Sequence, residues 1–276
     1  MGLLKKMNLI ETQCPAKINL FLKVLNKRVD GYHNIETSFQ LIDLYDLMSF
    51  EKTSSEIIIE SNKDFLIGED NTIYESALKI KECLSDDDYG VKITIQKNIP
   101  TGSGMGGGSS NAASTIIALN KLWNLNLNEK KLGEIAKEIG ADVPFFMFGR
   151  NALGCGIGDE LQETSSIKKN ILVIDPLIHN SSKNMFSLLE EWKKNKNNSP
   201  AKQNHFFDVF IEKNKEVEDF VEKFGNNYSI NLTGSGSCMF LCYENDKDIT
   251  EIIKKIPSKW RLFFCKPLQY SPICYI

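Results

Sequence analysis

The sequence predicts a mixed α/β (α+β) fold divided into two domains, and three observations carry that reading. Segments whose apolar residues alternate with period two are interleaved with segments whose apolar residues fall on one helical stripe. The chain has 276 residues, more than one domain usually holds. A cluster of glycines between Gly154 and Leu161 separates two structured blocks, which sets the expected division between residues 1–158 and 159–276.

Each element follows from its own pattern. Ile18 to Leu25, Glu56 to Glu60 and Val91 to Lys97 read as strands, and Val91, Ile93 and Ile95 share one face. Asp70 and Asn71 cap a helix that carries Ile73, Ala77, Ile80 and Leu84. From Ser109 to Trp123, Ala112, Ile116, Leu119 and Trp123 form an apolar stripe behind a serine cap. Asn128 caps the next helix, with Leu132, Ile135, Ala136 and Ile139 inward and Gly140 as its stop. In the second block Asn170 to Asp175 reads as a buried strand and Lys183 to Lys194 as a helix. An exposed connection runs from Lys194 to Gln203, and one long helix from Phe206 to Phe224. Ile230 to Thr233 and Cys238 to Tyr243 flank a glycine-serine turn, Asp248 to Ile256 is helical, and Trp260 to Cys265 is a strand.

Composition narrows the function. A formal charge of −3 argues against a general nucleic-acid binder, which needs a basic surplus to neutralise phosphates. The seven cysteines form no C-x-x-C pair and the three histidines lie far apart, so no zinc site is expected; reduced thiols suit the cytoplasm. No signal peptide and no stretch near the ~18 apolar residues of a membrane span is visible.

The strongest chemical signal is Pro100-Thr101-Gly102-Ser103-Gly104-Met105-Gly106-Gly107-Gly108-Ser109-Ser110-Asn111. Five of the ten residues from Thr101 to Ser110 are glycine, between a strand and an alanine-rich helix. Glycines let several backbone N–H groups turn inward, and the helix start adds unpaired donors and a positive dipole end. Together they make a phosphate cradle, in which Gly107 is expected at positive φ. The loop lacks the Gly-Lys-Ser/Thr of a Walker A motif, no protein-kinase H-R-D or D-F-G string occurs, and no acidic partner of a dinucleotide fold follows. Lys17 and Asn19, in Pro15-Ala16-Lys17-Ile18-Asn19, fall on one face of a strand. Asp142, in Gly140-Ala141-Asp142-Val143-Pro144, reads equally well as a turn or cap residue and as a catalytic carboxylate. Asp30-Gly31 is a turn that delivers Tyr32 and His33 to the next element, and Gly234-Ser235-Gly236-Ser237 reads as a hairpin turn.

Taken in this order, these segments resemble the three motifs of the GHMP kinase superfamily, from about Pro15 to Ser237. The P-A-K-I-N-L-F-L, D-G-Y-H, G-G-G-S-S-N-A-A and G-A-D-V-P-F-F strings resemble its branch that acts on a cytidine-diphosphate sugar alcohol in isoprenoid-precursor synthesis. Met105 stands where that branch is expected to have leucine. The resemblance implies an N-terminal domain similar to the second domain of ribosomal protein S5, which holds ATP, and a ferredoxin-like C-terminal domain.

It also implies roles. Asp142 is the expected base and Lys17 its charged partner, while Asn19 contacts the substrate near the transferred group. Pro100 through Ser110 wrap the triphosphate, with Asn71 and Lys97 near the adenine. Magnesium is expected with ATP, reached by Ser109 or Ser110. Tyr32 and Phe186 are expected to sandwich a cytosine whose edge His33 reads, with Ser182 where the family often has threonine. The expected partner is a small cytidine-diphosphate substrate, with no nucleic acid, membrane or obligate protein partner. Two alternatives remain at this point: a GHMP kinase for homoserine or a mevalonate-like alcohol, and a non-catalytic nucleotide- or RNA-binding module.

Overall fold

The computed structural model describes residues 8–84, 88–196 and 203–275. Two long strands, β1 (Leu9–Lys27) and β2 (His33–Thr53), pair antiparallel as a hairpin across the turn at Asp30-Gly31. The chain continues through β3 (Ile57–Ser61), α1 (Thr72–Lys81), β4 (Gly90–Gln96), α2 (Gly107–Leu122), α3 (Glu129–Ile139), α4 (Val143–Phe148), β5 (Ala152–Cys155) and β6 (Glu160–Glu163). Then come β7 (Asn170–Asp175), α5 (Ser182–Lys196), α6 (Phe207–Lys213), α7 (Lys215–Phe224), β8 (Asn231–Leu232), β9 (Met239–Tyr243), α8 (Thr250–Ile253) and β10 (Arg261–Cys265).

The first sheet has the order β3-β4-β2-β5-β6, with β1 joined to β2; the second is β10-β7-β9-β8. β1 illustrates how burial follows the sheet. From Leu9 to Cys14 exposed and buried residues alternate, as a strand with one wet face requires. From Pro15 to Asn19 every residue is buried, because the first domain covers one face and the second domain the other. Pro15 has no N–H for the ladder; it sits at a register shift in the pairing of β1 with β2.

α1 to α4 close the other face of the first sheet, around Phe50, Phe145, Phe146, Ile116 and Trp123. A second core fills the C-terminal domain around Phe206, Phe210, Phe220 and Trp260. A third cluster joins the two: Ala16, Ile18, Ile42, Ile99 and Met105 meet Ile171, Val173, Cys238 and Phe240. The cleft opens beside this junction.

Several expectations change. α2 begins at Gly107, two residues before Ser109, and its N-cap is Gly106 at φ 69°, with no side-chain cap. The expected single helix from Phe206 to Phe224 breaks at Asn214. There Asn214 Nδ2 donates to the Phe210 carbonyl at 2.7 Å, while its own carbonyl accepts from Val217 and Glu218. The helix expected from Asp248 to Ile256 is a 3-10 turn, started by an Asn245–Asp248 capping box, followed by the one turn of α8. Most of the connection between Lys194 and Gln203 lies outside the described residues, and Lys194 belongs to α5. β5 and β6 both pair into the first sheet, so that sheet runs past residue 158. Among the described residues no helix is long and apolar enough to cross a membrane.

Candidate active site

Period-two geometry puts Lys17 and Asn19 on one face of β1, as expected, and Lys17 Nζ donates to Asn19 Oδ1 at 2.6 Å. The ammonium is 3% exposed, so it needs partners. It also donates to the Gly104 carbonyl at 2.9 Å and lies 3.4 Å from Asp142 Oδ2 and 5.6 Å from the Phe39 ring centroid. Asp142 is the residue before α4, yet its side chain caps no backbone N–H. It turns to Lys17 and keeps a third of its surface open to the cleft. A capping role is therefore excluded by geometry.

Asn19 is held from both sides. Its Nδ2 donates to Thr37 Oγ1 at 2.7 Å, and Thr37 in turn donates to the Phe21 carbonyl. Asn19 Oδ1 also accepts the Gly234 N–H at 2.9 Å, so one amide touches both Lys17 and the C-terminal glycine turn. That turn is more than a hairpin connection. Thr233 Oγ1 donates to the Gly104 carbonyl, and the Cys238 N–H donates to the Ser103 carbonyl.

The glycine loop is packed against these groups rather than free. Gly104 has φ 77°, and a Cβ there would lie 2.1 Å from the Thr233 carbonyl oxygen. Only glycine satisfies both limits. Gly107, expected at positive φ, is instead the first residue of α2; its constraint is space, because a Cβ would lie 2.7 Å from Lys97 Nζ. Met105 points into the junction core, fully buried, and its carbonyl accepts the Lys17 N–H at 3.0 Å. It supports the loop from behind.

A cleft of about 620 Å³ collects most of the expected residues: Lys17, Asn19, Asn71, Lys97, Pro100 to Gly104, Gly106 to Ser109, Asp142, Ser182 and Phe186. Ser110 is fully buried behind the residues that line the cleft, and its Oγ has no hydrogen-bond partner among the described residues. Asn71 is the N-cap of α1, its Oδ1 accepting from Ile73 and Tyr74, which anchors that wall of the cleft. Ser182 shares a hydrogen bond with Ser235 Oγ at 2.9 Å.

The expected cytosine site is only partly assembled. Tyr32 and His33 do not line the cleft. Tyr32 is 58% exposed at the hairpin tip. His33 stacks on Phe186 with ring centroids 4.9 Å apart and 16° between planes, and its Nε2 donates to Glu190 Oε1 at 2.9 Å. Lys27, also on Glu190 Oε1 at 2.8 Å, holds that carboxyl below the usual range, and His33 adds to the effect.

The structure adds residues that the motifs do not mark. Asn180 donates from Nδ2 to the Ser235 carbonyl at 2.6 Å and from its N–H to the Gly102 carbonyl, clamping both glycine segments. Phe206 lines the cleft, as does Asn111, the last residue of the glycine-loop motif, to which the sequence assigned no role. Asp46, wholly buried, pairs with Lys97 beneath the loop. The one signal for Asp46 in the sequence is a carboxylate among apolar residues in Leu44-Tyr45-Asp46-Leu47.

A buried lysine facing a carboxylate beside a glycine loop at a helix start is an arrangement suited to phosphoryl transfer. The family model for the N-terminal domain of GHMP kinases matches residues 71–150 and that for their C-terminal domain matches 185–262; the chain belongs to the GHMP kinases and is a small-molecule kinase. Within that family it groups with the 4-diphosphocytidyl-2-C-methyl-D-erythritol kinases. The protein of that name from Marinomonas sp. is 34% identical, over 96% of this chain and 89% of its own length. That from Francisella philomiragia is 37% identical, over 94% and 96%. A solved 4-(cytidine 5'-diphospho)-2C-methyl-D-erythritol kinase superposes with a TM-score of 0.73 at 28% identity, covering 93% of this chain and 99% of that one. A homoserine kinase from Cytophaga hutchinsonii, TM-score 0.67 at 15% identity over 98% of each chain, shares the fold. Membership of the family implies ATP as co-substrate.

Proposed function

We propose that this chain transfers the γ-phosphate of ATP to the 2-hydroxyl of 4-diphosphocytidyl-2-C-methyl-D-erythritol, a step of isoprenoid-precursor synthesis in the cytoplasm. The observation that carries the reading is the Lys17–Asp142 pair, 3.4 Å apart, facing the cleft beside the glycine loop. Phosphoryl transfer asks chiefly for positioning and charge stabilisation. The hydroxyl oxygen forms its bond to the γ-phosphorus as the bond to the β–γ bridging oxygen breaks, and ADP leaves. Asp142 takes the hydroxyl proton. Lys17 stabilises the charge growing on the attacking oxygen. Asn19 orients Lys17 and stands where the alcohol arrives.

The residues present fit a magnesium ion. Ser110 Oγ, on the first turn of α2, is an orphaned buried oxygen, and the Asp142 carboxylate is open to the cleft. Among the described residues no three His, Cys, Asp or Glu side chains gather as a metal cage; phosphate oxygens and water would supply the remaining ligands. When bound, the ion neutralises phosphate charge. Phe186 and Ser182 line the cleft and His33 stacks on Phe186; with Tyr32 at the adjoining hairpin tip, they form the cytidine end.

The test is ADP release with the cytidine-diphosphate alcohol against free methylerythritol, homoserine and mevalonate. Turnover confined to the cytidine substrate is expected. Equal turnover of homoserine or mevalonate would sink the assignment.

A further inference from the structure

Asp46 has no exposed surface, yet it gathers four donors on which the cleft depends. Its Oδ1 accepts the backbone N–H groups of Asn98 at 2.7 Å and Ile99 at 2.9 Å, the residues that lead into the glycine loop. Its Oδ2 accepts from Lys97 Nζ and from Asn111 Nδ2 at 3.0 Å. One carboxylate from β2 thus ties together the end of β4, the entrance to the loop and the first turns of α2. Lys97 and Asn111 line the cleft, whereas Asp46 lies behind them.

The position of Lys97 gives this arrangement its consequence. Lys97 Nζ lies where a Cβ on Gly107 would come within 2.7 Å, against the first residue of α2. That helix end presents unpaired N–H groups and a positive dipole, which by itself repels an ammonium. A buried ammonium without a counterion moves away or loses its proton. Asp46 is the carboxylate that pairs with it there.

We propose that Asp46 is a positioning residue for ATP, acting through Lys97: it holds that ammonium at the start of α2, where it meets the bound nucleotide. The proposal rests on the reading of the cleft as the ATP site. The two fail separately, because ATP binding can be measured without the alcohol substrate.

The experiment is calorimetric titration of the full chain with magnesium-ATP for wild type, Asp46→Asn, Lys97→Met and the double variant, with steady-state kinetics alongside. Asparagine keeps an acceptor for Asn98 and Ile99 but turns a donor toward Lys97. Each single variant is expected to raise the Kd for ATP on the order of tenfold, and adding Asp46→Asn to Lys97→Met to change it less than about twofold, the mark of residues acting as one unit. The KM for the cytidine substrate should stay within about threefold of wild type, a split that general loss of structure does not produce. If Asp46→Asn does not fold, Lys97→Met against the double variant decides, since neither holds an unpaired buried ammonium. An unchanged Kd in a folded Asp46→Asn or Lys97→Met protein, or a further loss in the double variant, overturns the proposal.

Discussion

Lys17 Nζ, on an interior strand position, stands 3.4 Å from the carboxylate of Asp142, which the chain delivers from the start of a helix far along the sequence. Asp142→Asn is expected to lower kcat by roughly 10²-fold or more, the scale of a lost general base, with little change in the Kd of either substrate. Lys17→Met should also lose chiefly kcat. Rapid-quench turnover with equilibrium titration checks both, and an Asp142→Asn enzyme with normal kcat would remove Asp142 as the base.

Gly104→Ala places a methyl group 2.1 Å from the Thr233 carbonyl at a φ of 77°. The loop and the C-terminal turn must then separate, so ATP affinity falls, on the order of tenfold, and Tm drops by several degrees. Gly133→Ala is the contrast: Gly133 lies in α3 with open space around it. It should gain about 0.5–1 kcal/mol and leave ATP binding alone. Thermal melts and ATP titrations of the two variants read this directly.

Tyr32→Ala and Phe186→Ala are expected to raise the Kd for the cytidine substrate roughly 5- to 150-fold, the worth of one stacking partner at ~1–3 kcal/mol. Phe186→Ala should be the more damaging to stability. Phe186 stacks on His33 and meets Phe206 edge-on, whereas Tyr32 stands mostly in solvent. ATP affinity should not move in either. Unaltered cytidine binding in both would remove the aromatic sandwich.

His205 accepts the Val24 N–H on Nδ1 at 3.0 Å, and burial, then Lys193, pushes its pKa below the usual 6.5. A histidine depressed in the fold is neutral there, while the unfolded chain binds the proton first. Stability contributed by His205 is therefore present above about pH 6.5 and lost as pH falls below it toward the depressed value. Denaturant midpoints between pH 7.5 and 5.0 should fall more steeply for wild type than for His205→Gln. Parallel slopes would show that His205 does not couple to folding.

The local elements were legible wherever burial was one-sided. α1, α3 and β4 match their apolar periods, and Asn71 and Asn128 cap where a short polar side chain before a periodic run predicts. β2 was not legible. Leu41 and Ile42 are both fully buried and Asp46 interrupts the alternation, because the strand is covered on both faces. α4, β5 and β6 span six, four and four residues, too short for any period to register.

For the site, the residues from Thr101 to Ser110 already pointed to a glycine loop at a helix start, because so many glycines between a strand and a helix leave backbone donors unshielded. Alternation along β1 likewise determined that Lys17 and Asn19 face the same way. What Asp142 does was open in the sequence, since the same turn position serves a cap or a catalytic group; the packing of α4 against α2 and α3 leaves it turned toward Lys17. The fold alone brought Asn180 and the Gly234 turn onto Gly102 and Gly104, and slid Asp46 beneath Lys97. These contacts join residues distant in the chain, and a buried charge chooses its partner only when folding removes water from both.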